Sequence, residues 1–125
     1  AISTRRTNSF RSNSASVDRR LEEVKTRILR RLSDPDLSTL CIARECGMSV
    51  RTLHGLFETT SHTVSAWIRE QRLQKCRAVL RNPDARAMSI TEIAITWGFS
   101  DLAHFSKLYK KRFGVSPTTD RKAGN

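Results

Sequence analysis

Apolar residues recur along this chain at the three- and four-residue intervals of amphipathic helices, and the recurrence breaks at punctuating residues. Val17, Leu21, Val24, Ile28 and Leu32 share one face of a helix that the pattern starts at Ser16, a capping residue, and stops before Pro35. A second helix is predicted from Ser38 to Cys46, with Thr39, Ile42, Ala43 and Cys46 inward and Leu40 and Cys41 off that face. A third, after Ser49, turns Leu53, Leu56 and Phe57 inward. A long one follows from about Val64 to Arg81, carrying Trp67, Ile68, Leu73, Cys76 and Leu80 between basic residues, and Asn82-Pro83-Asp84 ends it. At the α-helical rise it is roughly 25 Å long. The pattern resumes with Ile90, Ile93, Ala94 and Trp97, then Phe105, Leu108, Tyr109 and Phe113; Gly114 closes that stretch and Ser116-Pro117 opens a short last helix.

Two of these breaks are the same sentence written twice. Ile42-Ala43-x-x-Cys46-Gly47-Met48-Ser49 returns as Ile93-Ala94-x-x-Trp97-Gly98-Phe99-Ser100. A helix-turn-helix needs a small residue where two helices close, a residue tolerant of left-handed backbone at the turn, and a hydroxyl to cap the second helix. Ala43, Gly47 and Ser49 supply these once, and Ala94, Gly98 and Ser100 again. The first part of the motif repeats after 51 positions, whereas Leu53, Leu56 and Phe57 reappear as Phe105, Leu108 and Tyr109 after 52. The second turn therefore holds one extra residue.

Charge then narrows the partner. The 125 residues carry a formal net charge of +11, more than solubility requires, which points to a polyanion. A large enzyme does not fit in this length, and no apolar run approaches the roughly 20 residues of a membrane span. The first residues lack the apolar stretch of a secretory signal, so a cytoplasmic protein is expected. Three cysteines in no zinc-like spacing are expected as free thiols. Residues 1–15, rich in Ser, Thr, Asn and Arg, are expected as a disordered linker or tail, and the sequence opens on Ala rather than Met, as a piece of a longer chain would.

Taken together, Cys46-Gly47-Met48-Ser49, Leu56-Phe57, Trp67-Ile68-Arg69-Glu70-x-Arg72-Leu73, Ile93-Ala94, Trp97-Gly98-Phe99-Ser100-Asp101, His104-Phe105 and Phe113-Gly114-Val115-Ser116-Pro117 resemble the DNA-binding domain of the AraC/XylS family of bacterial transcription regulators. The resemblance covers residues 16–121. It implies a seven-helix domain whose two helix-turn-helix units enter successive major grooves on one face of DNA. In that family the domain sits behind a ligand-sensing or dimerising domain, which is absent from this sequence. Two positions depart from the family pattern: Asp120 stands where Tyr is frequent, and Ser61 where Gly is.

A reading helix spares its apolar stripe for the core, so base contacts come from the opposite face. That face offers Val50, Arg51, His54, Gly55 and Glu58 in the first copy. The resemblance places Arg51, His54 and Gly55 at base-reading positions. Arg51 can give two donors to guanine, and a glycine inside a helix costs about 1 kcal/mol against Ala, which close approach to DNA would offset. The second copy offers Asp101, Leu102, Ala103, Ser106 and Lys107, of which the last four are the base-reading candidates. Ser49 and Ser100, at the starts of the reading helices, and Lys110 and Lys111 are the phosphate candidates. His104, ahead of a core Phe, reads as structural rather than metal-binding, and Trp67 and Trp97 read as core.

The expectation is an all-α fold of about seven helices forming two helix-turn-helix subdomains joined by a long linker helix: a first unit over 16–62, the linker helix over 63–82, a second unit over 83–121 and a tail over 122–125. Its function would be sequence-specific recognition of an asymmetric promoter site by a transcription activator, with double-stranded DNA and RNA polymerase as partners and no catalytic residue, cofactor or metal. The alternative is a basic helical module that binds RNA by shape, against which the repeated glycine turn argues.

Overall fold

The structure, a computed structural model, describes the backbone of residues 2–124 and the side chains of residues 15–123. Among these, seven α-helices and one short 3-10 turn at Pro83–Ala85 make up the regular structure, with no strand. They are α1 (Ile2–Arg30), α2 (Thr39–Glu45), α3 (Val50–Phe57), α4 (Val64–Leu80), α5 (Ile90–Thr96), α6 (Leu102–Phe113) and α7 (Pro117–Gly124). The tail expected over 1–15 lies, but for Ala15, outside the described side chains. Ser16 sits within α1 rather than capping it, and α7 runs past the expected end at residue 121.

The chain divides into two compact units, one of Ala1–Arg30 with Ser38–Ser65, the other of Arg31–Leu37 with Ala66–Asn125. The boundary falls inside α4, with Val64 and Ser65 in the first unit and the rest of the helix in the second. In the first unit, Leu21, Val24 and Ile28 of α1 are buried, as are Ile42 and Ala43 of α2, Leu53, Leu56 and Phe57 of α3, and Val64. Complete burial of each large aliphatic or aromatic side chain contributes about 1.5–3 kcal/mol. Thr39 and Cys46, expected inward, are only half-buried, because a seven-residue helix turns little more than one row of side chains toward its neighbours. Leu40 is half exposed, off the inward face as its spacing predicts.

The second unit closes on a different chemistry. Leu73, Cys76 and Leu80 of α4 pack with Ile93, Ala94, Phe105 and Tyr109, and half-buried Trp97, Phe99, Leu108 and Phe113 lie against them. Four aromatic rings run in series, Phe99 to Phe105 at 4.9 Å, Phe105 to Tyr109 at 5.7 Å and Tyr109 to Phe113 at 4.7 Å between centroids, all tilted as ring quadrupoles prefer. The three cysteines are free, and burial pushes the Cys76 thiol up to about 12.

Where the family pattern has tyrosine, Asp120 of α7 is almost fully buried. Tyr109 Oη donates to its Oδ2 at 2.5 Å and Arg81 Nε to its Oδ1 at 2.9 Å. Arg77 Nε lies 3.3 Å from Oδ2, a charge contact out of line for a hydrogen bond. Burial pushes the Asp120 carboxyl up, but the Tyr109 hydroxyl, Arg81 and Arg77 outweigh it and hold it below the ordinary carboxylate range. The last helix is therefore docked by a satisfied charge rather than by a ring. Arg121 Nη2 adds a bond to the Ala85 carbonyl at 2.7 Å.

Candidate nucleic-acid interface

Each reading helix is aimed by the turn before it, and the two turns share one set of hydrogen bonds. After α2, Gly47 N–H donates to Arg44 O at 3.1 Å and Met48 N–H to Ala43 O at 2.9 Å; after α5, Gly98 N–H donates to Ile95 O at 3.0 Å and Phe99 N–H to Ala94 O at 2.9 Å. This is the paired closure of a Schellman end, which requires left-handed backbone at the glycine. Gly47 has φ 65° and Gly98 φ 90°. α2 and α5 also start alike, with Ser38 Oγ accepting from Cys41 N–H and Ser89 Oγ from Glu92 N–H.

The reading helices start differently. Ser49 caps α3, its Oγ accepting from Thr52 N–H at 3.0 Å. The cap of α6 is Asp101, whose Oδ1 accepts from His104 N–H at 3.2 Å, and not Ser100 as the repeat suggested. Ser100 is the extra residue of the second turn, exposed between Phe99 and the cap. A carboxylate now occupies the amide groups at the start of α6, where a phosphate would otherwise find them. Ser49 and Asp101 as equivalent caps set the whole helix in register 52 positions apart, so Arg51 answers to Ala103, Thr52 to His104, His54 to Ser106, Gly55 to Lys107 and Glu58 to Lys110.

On α3, Arg51, His54, Gly55 and Glu58 are exposed, and Val50 is half-buried. At 100° per residue these four positions fall within one outward arc, with Arg51 about one turn before Gly55 and Glu58, the C-cap, about one turn after. A Cβ added to Gly55 would meet nothing within 4 Å, so packing does not demand a glycine there. On α6, Leu102 is 41% exposed, Ala103, Lys107, Lys110 and Lys111 are exposed, and Ser106 is half-buried at the edge of the face. Lys107 takes the place of Gly55. His104, set aside as structural from the sequence, is exposed on the first turn beside Ala103. Its position one residue before the core Phe misled; the equivalence with exposed Thr52 would have placed it outward.

The basic end of α6 is not uniform. Arg112 Nε donates to both carboxylate oxygens of Glu70 on α4, at 2.8 and 2.7 Å, while its guanidinium lies 5.1 Å from the Phe113 ring. Arg112 is thus committed within the unit, leaving Lys107, Lys110 and Lys111 as the outward cations. Among the described residues no group of three or more His, Cys, Asp or Glu is placed to hold a metal ion, and no helix is long and apolar enough to cross a membrane.

Known proteins share this arrangement. Residues 42–123 match a helix-turn-helix domain family. The chain is 38% identical over 102 residues to the transcriptional activator NphR of a Rhodococcus species, covering 82% of this chain and 30% of that protein. It is 34% identical over 110 residues to the XylDLEGF operon transcriptional activator of Pseudomonas putida, covering 87% of this chain and 33% of that one. It therefore spans about a third of the length of these relatives. An AraC-type DNA-binding domain protein from Chromobacterium violaceum superposes with a TM-score of 0.78 at 31% identity, over 88% of this chain and 96% of that one. The C-terminal domain of AraT from Geobacillus stearothermophilus, at 23% identity and a TM-score of 0.75 over 83% and 84% of the two chains, shares the fold.

Proposed function

Since the chain belongs to the AraC/XylS family and forms its double helix-turn-helix DNA-binding domain, we propose that it directs a transcription activator to a two-part, non-palindromic promoter site in the bacterial cytoplasm, one part read by each unit. The observation that carries the proposal is the pairing of one turn geometry with two unlike exposed faces. In the first unit Arg51 donates to a guanine, His54 reaches a neighbouring base or phosphate, and Gly55 lets the α3 backbone come close to the groove. In the second, Leu102, Ala103, His104, Ser106 and Lys107 meet base edges, and Lys110 and Lys111 hold phosphates beside them. Ser49 supports a phosphate beside α3; Ser100, displaced from the cap, is the weaker of the two serine candidates.

The work is binding, without catalysis. The activator role is supported by its similarity to the transcriptional activators of Rhodococcus and Pseudomonas putida, and contact with RNA polymerase is the route by which a bound activator would act. The test is selection of bound sites from random duplex DNA, followed by protection mapping. Two unlike, separately protected segments about ten base pairs apart are expected. A single protected segment, or structured RNA competing as well as the selected DNA, would count against the proposal.

A further inference from the structure

The two turns differ in what lies over their glycines. A Cβ on Gly47 would meet nothing within 4 Å, whereas one on Gly98 would stand 2.7 Å from Arg72 Cζ and 2.9 Å from its Nε and Nη2. The half-buried guanidinium of Arg72, on α4, fills the space a side chain at 98 would take. It is held there by the segment between α1 and α2: Nε donates to Leu32 O at 3.0 Å and Nη2 to Asp34 O at 2.6 Å. That segment is itself pinned, with Asp34 Oδ2 accepting from Arg31 Nη2 at 2.6 Å and Oδ1 from Asp36 N–H at 2.9 Å. One planar side chain therefore joins α4, residues 31–37 and the turn between α5 and α6. A lysine could reach one carbonyl but would neither span both nor cover the glycine, because its charge is a point on a flexible stem.

α6 begins four residues after Gly98, so a small rotation of the turn backbone becomes a displacement of the DNA-facing side chains along the whole helix. Reading geometry tolerates errors of well under an ångström in groups that must meet base edges. We infer that Arg72 is a positioning residue for DNA recognition by the second unit, holding its turn in the one conformation that aims α6 without itself touching DNA. The inference rests on the reading that both units engage DNA.

The experiment uses three duplexes built from the selected site: intact, first part scrambled, and second part scrambled. Arg72→Lys and Arg72→Ala are compared with the wild-type chain, with circular dichroism to verify folding; Arg72→Lys keeps the charge and carries the test where the alanine variant does not fold. Expected is a loss of about tenfold or more on the intact duplex and on the one with its first part scrambled, and no loss on the duplex with its second part scrambled. Equal fractional losses on all three duplexes, or no loss on any, would overturn the inference while leaving the two-unit reading in place. A wild-type chain indifferent to scrambling the second part would overturn that reading, and the inference with it.

Discussion

The two helix-turn-helix units have the same closing hydrogen bonds around Gly47 and Gly98, yet they solve the problems of core and surface in opposite ways. Among its described residues the first closes on aliphatic side chains and one ring, and presents on the outer face of α3 a residue with no side chain, next to an arginine. The second closes on a row of aromatic rings and a buried carboxylate, and presents on the outer face of α6 a lysine, with two more cations behind it. Arg51 becomes Ala103, Gly55 becomes Lys107 and Glu58 becomes Lys110 in the common register. Under the proposed function, a shared backbone motif carries two assignments, discrimination by hydrogen bonds in the first unit and electrostatic anchoring with apolar contact in the second.

The largest effect separating the units is expected at Asp120, since the first unit has no buried charge among its described residues. Asp120→Ala leaves the Tyr109 hydroxyl and Arg81 without their acceptor and Arg77 without its countercharge. Breaking a buried pair costs about 3–5 kcal/mol, and the partial exposure of both arginines brings the expectation to about 3 kcal/mol in urea unfolding. Because the folded pKa of Asp120 is lowered, its contribution is full above the ordinary carboxylate range of about 4 and is lost as pH falls through the lower folded value. Asp120→Asn should therefore flatten the acid limb of stability in that window; an unchanged limb would assign acid sensitivity to other carboxylates.

Next come the glycines. Gly98→Ala imposes left-handed strain and also displaces the Arg72 guanidinium, for an expected loss of about 2–3 kcal/mol, while Gly47→Ala meets only the strain, about 1–2 kcal/mol. Equal losses in parallel urea titrations would mean that Arg72 yields its place freely.

At the DNA faces the contrast is between kinds of contact. Arg51→Ala should cost about 1–3 kcal/mol on the selected site and relax preference at one guanine. Lys110→Ala should weaken all sequences alike and make the slope of log K against log salt shallower by about 0.9. Titrations of both variants across salt, on selected and random duplexes, separate the two; a uniform loss for Arg51→Ala would reassign it to a phosphate. The smallest effect has two signs. Gly55→Ala should stabilise the fold by about 0.5–1 kcal/mol, since the site is open and the helix prefers Ala, while lowering affinity for the selected site. Unchanged affinity would remove Gly55 from the interface.

Much of this was legible in the sequence because it depends on local rules. The apolar spacing located α2 to α6, Gly47, Gly98 and Gly114 marked the left-handed ends, and the count of residues between copies revealed an extra residue in the second turn. Which residue was extra could not be read, because Ser100 and Asp101 are both competent caps and only the hydrogen bond to His104 N–H chooses between them. The bonds of Arg72 to residues 32 and 34, of Arg112 to Glu70 and of Asp120 to Tyr109 join positions far apart in the chain or reverse a residue's usual place. A buried Asp and a committed surface Arg are decided by tertiary neighbours that composition and periodicity do not name.

The central claim is that one chain reads two unlike half-sites, and helical phase tests it directly. Inserting five base pairs between the halves turns one to the opposite side of the duplex, and twisting or bending it back costs several kcal/mol; inserting ten restores the face at a greater distance. Affinities for the selected site and both insertions are compared at one salt concentration. The account predicts that the five-pair insertion lowers affinity to that of a duplex with one half scrambled. Unchanged affinity for the five-pair insertion would contradict it, because a single unit would then suffice for all of the binding.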